Sequence, residues 1–309
     1  MKTFLRTLPV LTLAFAVTFA ACKKEEKKQT TDPASEVLGH TDDQTNISTQ
    51  IDALADDANT SLESNTYFGG RVNTTTNSLC GAVAVADTVS NPKKITITYN
   101  GANCANTYTR TGVVVLSIPA GVRWKNAGAA ITASIQNLRI KRLIDGKTVA
   151  ITGTQTLTNV SGGLLYNLSN LSSIVHTLTS DNMSITFDDN TQRTWHIAHK
   201  RVFTYNNGIV LTASGTGTTG SSTNAVEWGT NRFGHSFVTS ITQPLVFRQD
   251  CGSRLTAGEI KHEGFATATV TFGLNAGGTP TSCPGTGNYY FKLVWTGPAG
   301  NSVSAVLPY

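Results

Sequence analysis

From Tyr67 almost to its end the chain alternates. In Thr148-Val149-Ala150-Ile151-Thr152-Gly153-Thr154-Gln155-Thr156-Leu157-Thr158 one parity is nearly all Thr, and the other carries Val149, Ile151 and Leu157. Successive side chains of a strand point to opposite faces, so this is a strand with a wet face and a dry one. Ile95, Ile97 and Tyr99 alternate with Thr96 and Thr98, and Ala266, Ala268, Val270 and Phe272 with Thr267, Thr269 and Thr271. β-Branched residues punctuated by Gly and Asn predict further strands at 82–88, 107–118, 129–143, 183–188, 192–205, 208–217, 225–229, 235–248, 256–263, 287–295 and 302–307. Asp145-Gly146 and Asn207-Gly208 are hairpin-turn signals. Strands this close, with no helical pattern between them, predict antiparallel pairing. The fold class expected for 66–309 is all-β, a sandwich or an elongated twisted sheet.

Ahead of this body the period changes. Ile47, Ile51, Leu54, Ala58 and Leu62 form one apolar stripe of a helix, with Asp52, Asp56 and Asp57 outside it. A short amphipathic helix is predicted over 46–65, with Thr45 or Asn46 as N-cap, packed on the β body. Residues 22–45 are polar and charged and contain Pro33 and Gly39; they read as a flexible tether.

Residues 1–21 read as an export signal. Lys2 and Arg6 supply a basic start, and Leu8 to Phe19 an apolar run too short for a spanning helix of roughly 20 apolar residues. Phe19-Ala20-Ala21-Cys22 resembles the bacterial lipobox, with Phe where Leu is usual. That resemblance implies cleavage before Cys22 and acylation of its thiol and amine. Several acyl chains, each stabilised by about 0.8 kcal/mol per buried CH₂, make such an anchor effectively permanent. Cys22-Lys23-Lys24-Glu25-Glu26 resembles the surface-export signal of Bacteroidota lipoproteins. The expected place is the outer membrane at the cell surface, with its periplasmic face as the alternative.

Charge is divided unevenly. Residues 23–65 carry four Lys and ten Asp/Glu, whereas 66–309 carry eighteen Lys/Arg and nine Asp/Glu. A basic body on an acidic stalk would attract anionic glycans or lipopolysaccharide, without specific nucleic-acid recognition. Its candidate contacts are Arg139, Lys141, Arg142, Lys200 and Arg201, the basic clusters that stand out. Once Cys22 is acylated, Cys80, Cys104, Cys251 and Cys283 remain. An even number in an exported chain suggests disulfides, and four cysteines allow three connectivities. Cys80–Cys104 with Cys251–Cys283 is the local choice. Spacing excludes a C-x-x-C zinc site. The two Cys-closed units, each with a Thr-rich strand, form a weak internal echo.

Reaction centres are scarce. His196 and His199 in Trp195-His196-Ile197-Ala198-His199 fall on opposite faces of a strand, so no shared metal site is expected. Asp188-Asp189-Asn190 reads as a turn rather than a calcium loop. Glu259, Lys261 and Glu263 lie on one strand face as a charge-compensated row. No Gly-x-Ser-x-Gly occurs, and Gly215-Thr216-Gly217 lacks a strand-to-helix setting for a phosphate loop. Trp124, Trp195, Trp228 and Trp295, with Tyr289 and Tyr290, would form a sugar platform only if they converged. Asp87-Thr88-Val89 resembles the Bacteroidota O-glycosylation motif, with Thr88 as acceptor.

The chain resembles a group of uncharacterised Bacteroidota lipoproteins. The likeness rests on the lipobox, on Asn91-Pro92-Lys93-Lys94-Ile95-Thr96-Ile97-Thr98-Tyr99 running to Cys104, on Arg110-Thr111-Gly112, on Ser240-Ile241-Thr242-Gln243-Pro244-Leu245 before Cys251, and on the strand pair to Cys283. It implies export, anchoring and a β fold, and no catalytic residue. The expected function is a non-enzymatic, lipid-anchored envelope protein that binds or supports, with no cofactor and no metal. The alternatives are a carbohydrate-active hydrolase built on Glu227, Glu259 or Asp250, and an anion-binding module.

Overall fold

The computed structural model describes residues 33–69, 79–281, 283, 287–297 and 299–309. The export signal, Cys22 and the whole surface-export motif lie outside the described residues.

The alternating segments form strands close to the expected bounds: β1 (Ala82–Asp87), β2 (Lys93–Ala102), β3 (Tyr108–Ile118), β4 (Ala129–Arg142), β5 (Thr148–Asn159), β6 (Ile174–Phe187), β7 (Gln192–Tyr205), β8 (Ile209–Gly215), β9 (Gly217–Thr219), β10 (Ser222–Thr230), β11 (Ser236–Arg248), β12 (Arg254–Glu263), β13 (Thr267–Leu274), β14 (Tyr290–Thr296) and β15 (Ser302–Pro308). β6 begins well before its predicted start. The segment 208–217 splits into β8 and β9. Among the described residues all fifteen strands belong to one antiparallel sheet, not to a two-sheet sandwich. β10 and β8 fill successive parts of the space between β7 and β11: β10 pairs with Trp195–Ile197 and β8 with His199–Tyr205.

The sheet bends because it is bulged in line. Register shifts recur between Thr111 and Val113, Ile135 and Leu138, Thr152 and Thr156, and Ser180 and Met183 on successive strands. Bulges increase local twist and bend the strand that carries them. Gly112 (φ 138°) and Gly153 (φ 142°) allow the close approach: a Cβ on either would meet the neighbouring Leu138 or Met183 Cα at 2.8 or 3.0 Å.

The helix is longer than predicted. α1 (Pro33–Ser64) takes in most of what reads as tether. At about 1.5 Å per residue it is roughly 48 Å long. Its missed half has only Val37 and Leu38 as large apolar residues, side by side and without a 3–4 repeat, so no apolar stripe announces it. Pro33 opens it, a residue whose fixed φ suits the first helical position. The sheet wraps α1 so fully that, from Ser35 to Ser64, only Ser35 and Leu38 are exposed. Ile47, Ile51, Leu54, Ala58 and Leu62 pack into one core with Ile97, Leu116, Ile135, Ile151 and Ile185 of β2–β6. Each buried Ile or Leu contributes about 1.5–3 kcal/mol. No described helix is long and apolar enough to cross a membrane.

The acidic face of α1 is also docked, on distant basic residues. Asp42 pairs with Arg142 at 2.7 Å and Lys147 at 2.7 Å, Asp43 with Arg232 at 2.5 Å, Asp56 with Arg201 at 2.8 Å and Asp57 with Arg110 at 3.1 Å. Glu63 accepts the Leu165 N–H at 2.7 Å, at the start of a short 3-10 helix. The uneven charge of the chain is thus largely matched inside the fold, helix against sheet.

Candidate binding cleft

The apolar stripe of α1 is used up on β2–β6. Beyond β11 the inner face of the sheet stays apolar but is not roofed by that stripe. Ile260, Val270, Leu293 and Ala305 stand in register across β12–β15. Phe291 faces Leu307 one row away, and Trp295 faces Val303 on the other side. Between this face and the helix lies a cleft of about 1560 Å³, above the ~300–1,000 Å³ of ordinary small-molecule sites. The helix lines it with Thr45, Thr49, Asp52, Ala53 and Asp56. One wall is therefore apolar and the other polar.

β7 and β10 add polar groups that meet the helix at this wall. His199 lies between two carboxylates, 3.7 Å from Asp52 and 3.8 Å from Glu227. Glu227 accepts the Ser48 hydroxyl at 2.6 Å, Trp195 Nε1–H at 3.2 Å and Gln44 Nε2–H at 3.4 Å. Burial raises the Glu227 pKa, and His199 and these donors only partly oppose it. Asp52 goes the other way. Burial would raise it, but His199 and Arg201 outweigh burial and lower it. Asp56 is pushed up to about 6 by burial despite Arg201. Burial disfavours the charge on Arg201, yet Asp56 and Asp52 outweigh it and raise the pKa.

Further along, His40 and His262 face each other at 4.8 Å between ring centroids, with Phe237 against both. Burial lowers these histidines to about 3 and about 4, so both rings are neutral near pH 7. Gln50, fully buried, accepts Arg110 Nε–H at 2.8 Å, and its own Nε2 has no protein acceptor.

Ser48 donates its hydroxyl hydrogen bond to Glu227 rather than to an imidazole. The carboxylates suggested for a hydrolase do not converge. Glu227 faces inward from β10. Glu259, on the outer face of β12, accepts from Thr242 and Thr271. Asp250 pairs with Arg248 at 2.6 Å.

The expected anion cluster is divided. Arg139 and Lys141 are exposed on β4, and Lys200 lies on β7 with β5 and β6 between. Arg142 is bound by Asp42 and Asp145, and Arg201 is buried against Asp56. Adjacent residues of a strand, Lys200 and Arg201, fall on opposite faces, which a count of basic residues does not reveal. Nor do the aromatics form a platform. Trp124 and Trp195 are fully buried, Trp228 stacks on His196, and only Trp295 lines the cleft.

Both disulfides take the local connectivity, Cys80–Cys104 and Cys251–Cys283. Asp250 lies beside the second, but those sulfurs bond each other and leave no metal site there. Thr88 sits in the β1–β2 loop, where its carbonyl accepts from Lys93 and Asp87 caps the Val89 and Ser90 N–H groups. His196 and His199 are on opposite faces, and Asp188-Asp189-Asn190 is a turn with Asn190 at φ 64°. Compared with protein-family models, with curated proteins and with solved structures, the chain matches none.

Proposed function

We propose that this protein is a lipid-anchored cell-envelope binding protein whose ligand, an amphipathic molecule with an apolar body, occupies the cleft between α1 and β12–β15. The single observation carrying this reading is the pairing of walls: a continuous apolar sheet face opposite a polar helix face. The sheet can take an apolar body while the helix hydrates a head. Anchoring at Cys22 and outer-membrane placement come from the lipobox and the charges after it, and from the resemblance to Bacteroidota lipoproteins. The divided basic residues favour an interior ligand over an anionic glycan at the surface.

The test is a titration of the full chain carrying Cys22→Ser with the neutral fluorescent probe N-phenyl-1-naphthylamine. Saturable binding is expected, lost in Leu293→Glu on the cleft face and kept in Lys292→Glu on the opposite face of the same strand. Equal binding by both variants would remove the cleft from the account. Placement is tested separately. Protease added to whole cells degrades a surface protein and spares a periplasmic one.

A further inference from the structure

The charges and unmet donors of the cleft select among amphiphiles. Seven carboxylates line it: Glu36, Asp42, Asp52, Asp56, Asp57, Asp145 and Glu227. Only five Arg and Lys side chains accompany them, and four of these (Arg110, Arg142, Lys147 and Arg201) are already paired with acids. Asp52 and Glu227 are left sharing one histidine. An anionic head brought here would be desolvated next to surplus negative charge, which is strongly unfavourable.

Beside the unpartnered ring nitrogens of His40 and Nε2 of His199, two buried N–H donors that no tautomer can turn into acceptors lack a protein acceptor. Gln50 is 0% exposed, and its Nε2 is unbonded because Oε1 is held by Arg110. Trp295 Nε1, on the apolar wall, is likewise buried without an acceptor. Both residues line the cleft. A buried donor left unmet is destabilising, so a ligand that supplies an oxygen acceptor recovers that cost. An acyl ester meets both demands: its carbonyl only accepts, and it carries no charge.

We infer that the ligand of the cleft is an uncharged acyl ester lipid, its chain lying across Val270, Phe272, Phe291, Leu293 and Leu307 and its ester oxygens facing the donors of Trp295 and Gln50. This rests on the cleft being the binding site proposed above, and adds the class of molecule. Rejection of free fatty acids and of anionic phospholipids follows from the same charges.

The experiment is displacement of N-phenyl-1-naphthylamine from the full chain carrying Cys22→Ser at pH 7, by palmitoyl monoglyceride and by palmitate. The monoglyceride is expected to displace the probe at least about tenfold more tightly than palmitate, a gap of about 1.4 kcal/mol. Trp295→Phe keeps an aromatic side chain, smaller than the indole, and removes the donor. It is expected to weaken the monoglyceride by roughly two- to tenfold, the range of one hydrogen bond, beyond any change in the affinity of the probe itself. Palmitate binding as tightly as the ester, or an ester affinity indifferent to Trp295→Phe, would overturn the assignment while the binding cleft stands. Failure of the probe itself to bind would instead remove the cleft reading and this inference with it. The comparison of the two displacers on one protein needs no cleft variant to fold.

Discussion

Arg201 of β7 reaches across the interior to Asp56 of α1, Nη2 to Oδ1, at 2.8 Å, with 9% and 12% of the two side chains exposed. Removing one member of such a pair strands a buried charge. Asp56→Ala is expected to lower the unfolding free energy by about 3–5 kcal/mol in urea. The double variant Asp56→Leu/Arg201→Leu removes both charges and is expected to recover most of that loss. A double variant no better than Asp56→Ala would show that shape, not charge, governs the contact.

Acid acts through histidines held neutral. Burial, with His262 nearby, lowers His40 to about 3, and burial, with Arg201 nearby, lowers His176 to about 3. Their folded pKa values lie below the unfolded value, so the stability they contribute is complete above about 6.5 and is lost as pH falls. Each unit of pH in that window costs about 1.4 kcal/mol per group, hence about 2 kcal/mol for each histidine at pH 5. Asp56 has the opposite sign. Its pKa, raised to about 6, contributes stability below 3.8 that is lost as pH rises through 6, so it offsets part of the acid loss. Thermal melts between pH 7 and pH 5 are expected to fall steeply in the wild type and less steeply in His40→Leu.

The strands were legible in the sequence and the helix only in part, for physical reasons. Thr on one parity and Ile, Leu or Val on the other is the direct signature of a sheet with one dry face. The second half of α1 carries its apolar stripe for the same reason. The first half is stabilised by Arg142, Arg232 and Asn231, whose positions far along the chain no local pattern can encode. The cleft was illegible because Val270 and Leu293 alternate as core residues do. Whether a dry face is roofed by a helix or left as a wall depends on where α1 ends its stripe. The local disulfide pairing was legible because each bridge spans a short β unit.

Cys80–Cys104 closes a loop with a sequence separation of 24, beside the edge strand β1. Cys80→Ser/Cys104→Ser is expected to lose about 3 kcal/mol by the chain-entropy estimate for loops of this size. Equilibrium unfolding under oxidising conditions measures it; an unchanged midpoint would contradict the expectation.

Trp124, fully buried, donates its Nε1–H to Asn59 Oδ1 of α1 at 2.8 Å. Trp124→Phe leaves that oxygen without its donor, an expected cost of about 1–3 kcal/mol. Hydrogen exchange of 55–64 is expected to quicken in this variant more than that of β13–β15.

The most direct test of the binding cleft is photo-crosslinking with a diazirine-bearing palmitoyl monoglyceride, read by peptide mass spectrometry on the full chain carrying Cys22→Ser. Adducts are expected on the inner-face residues of β13–β15, Leu293 and Leu307 among them, and are displaced by unlabelled monoglyceride. Adducts confined to the outer face, such as Lys292 or Thr271, or adducts that unlabelled lipid does not displace, would contradict the account.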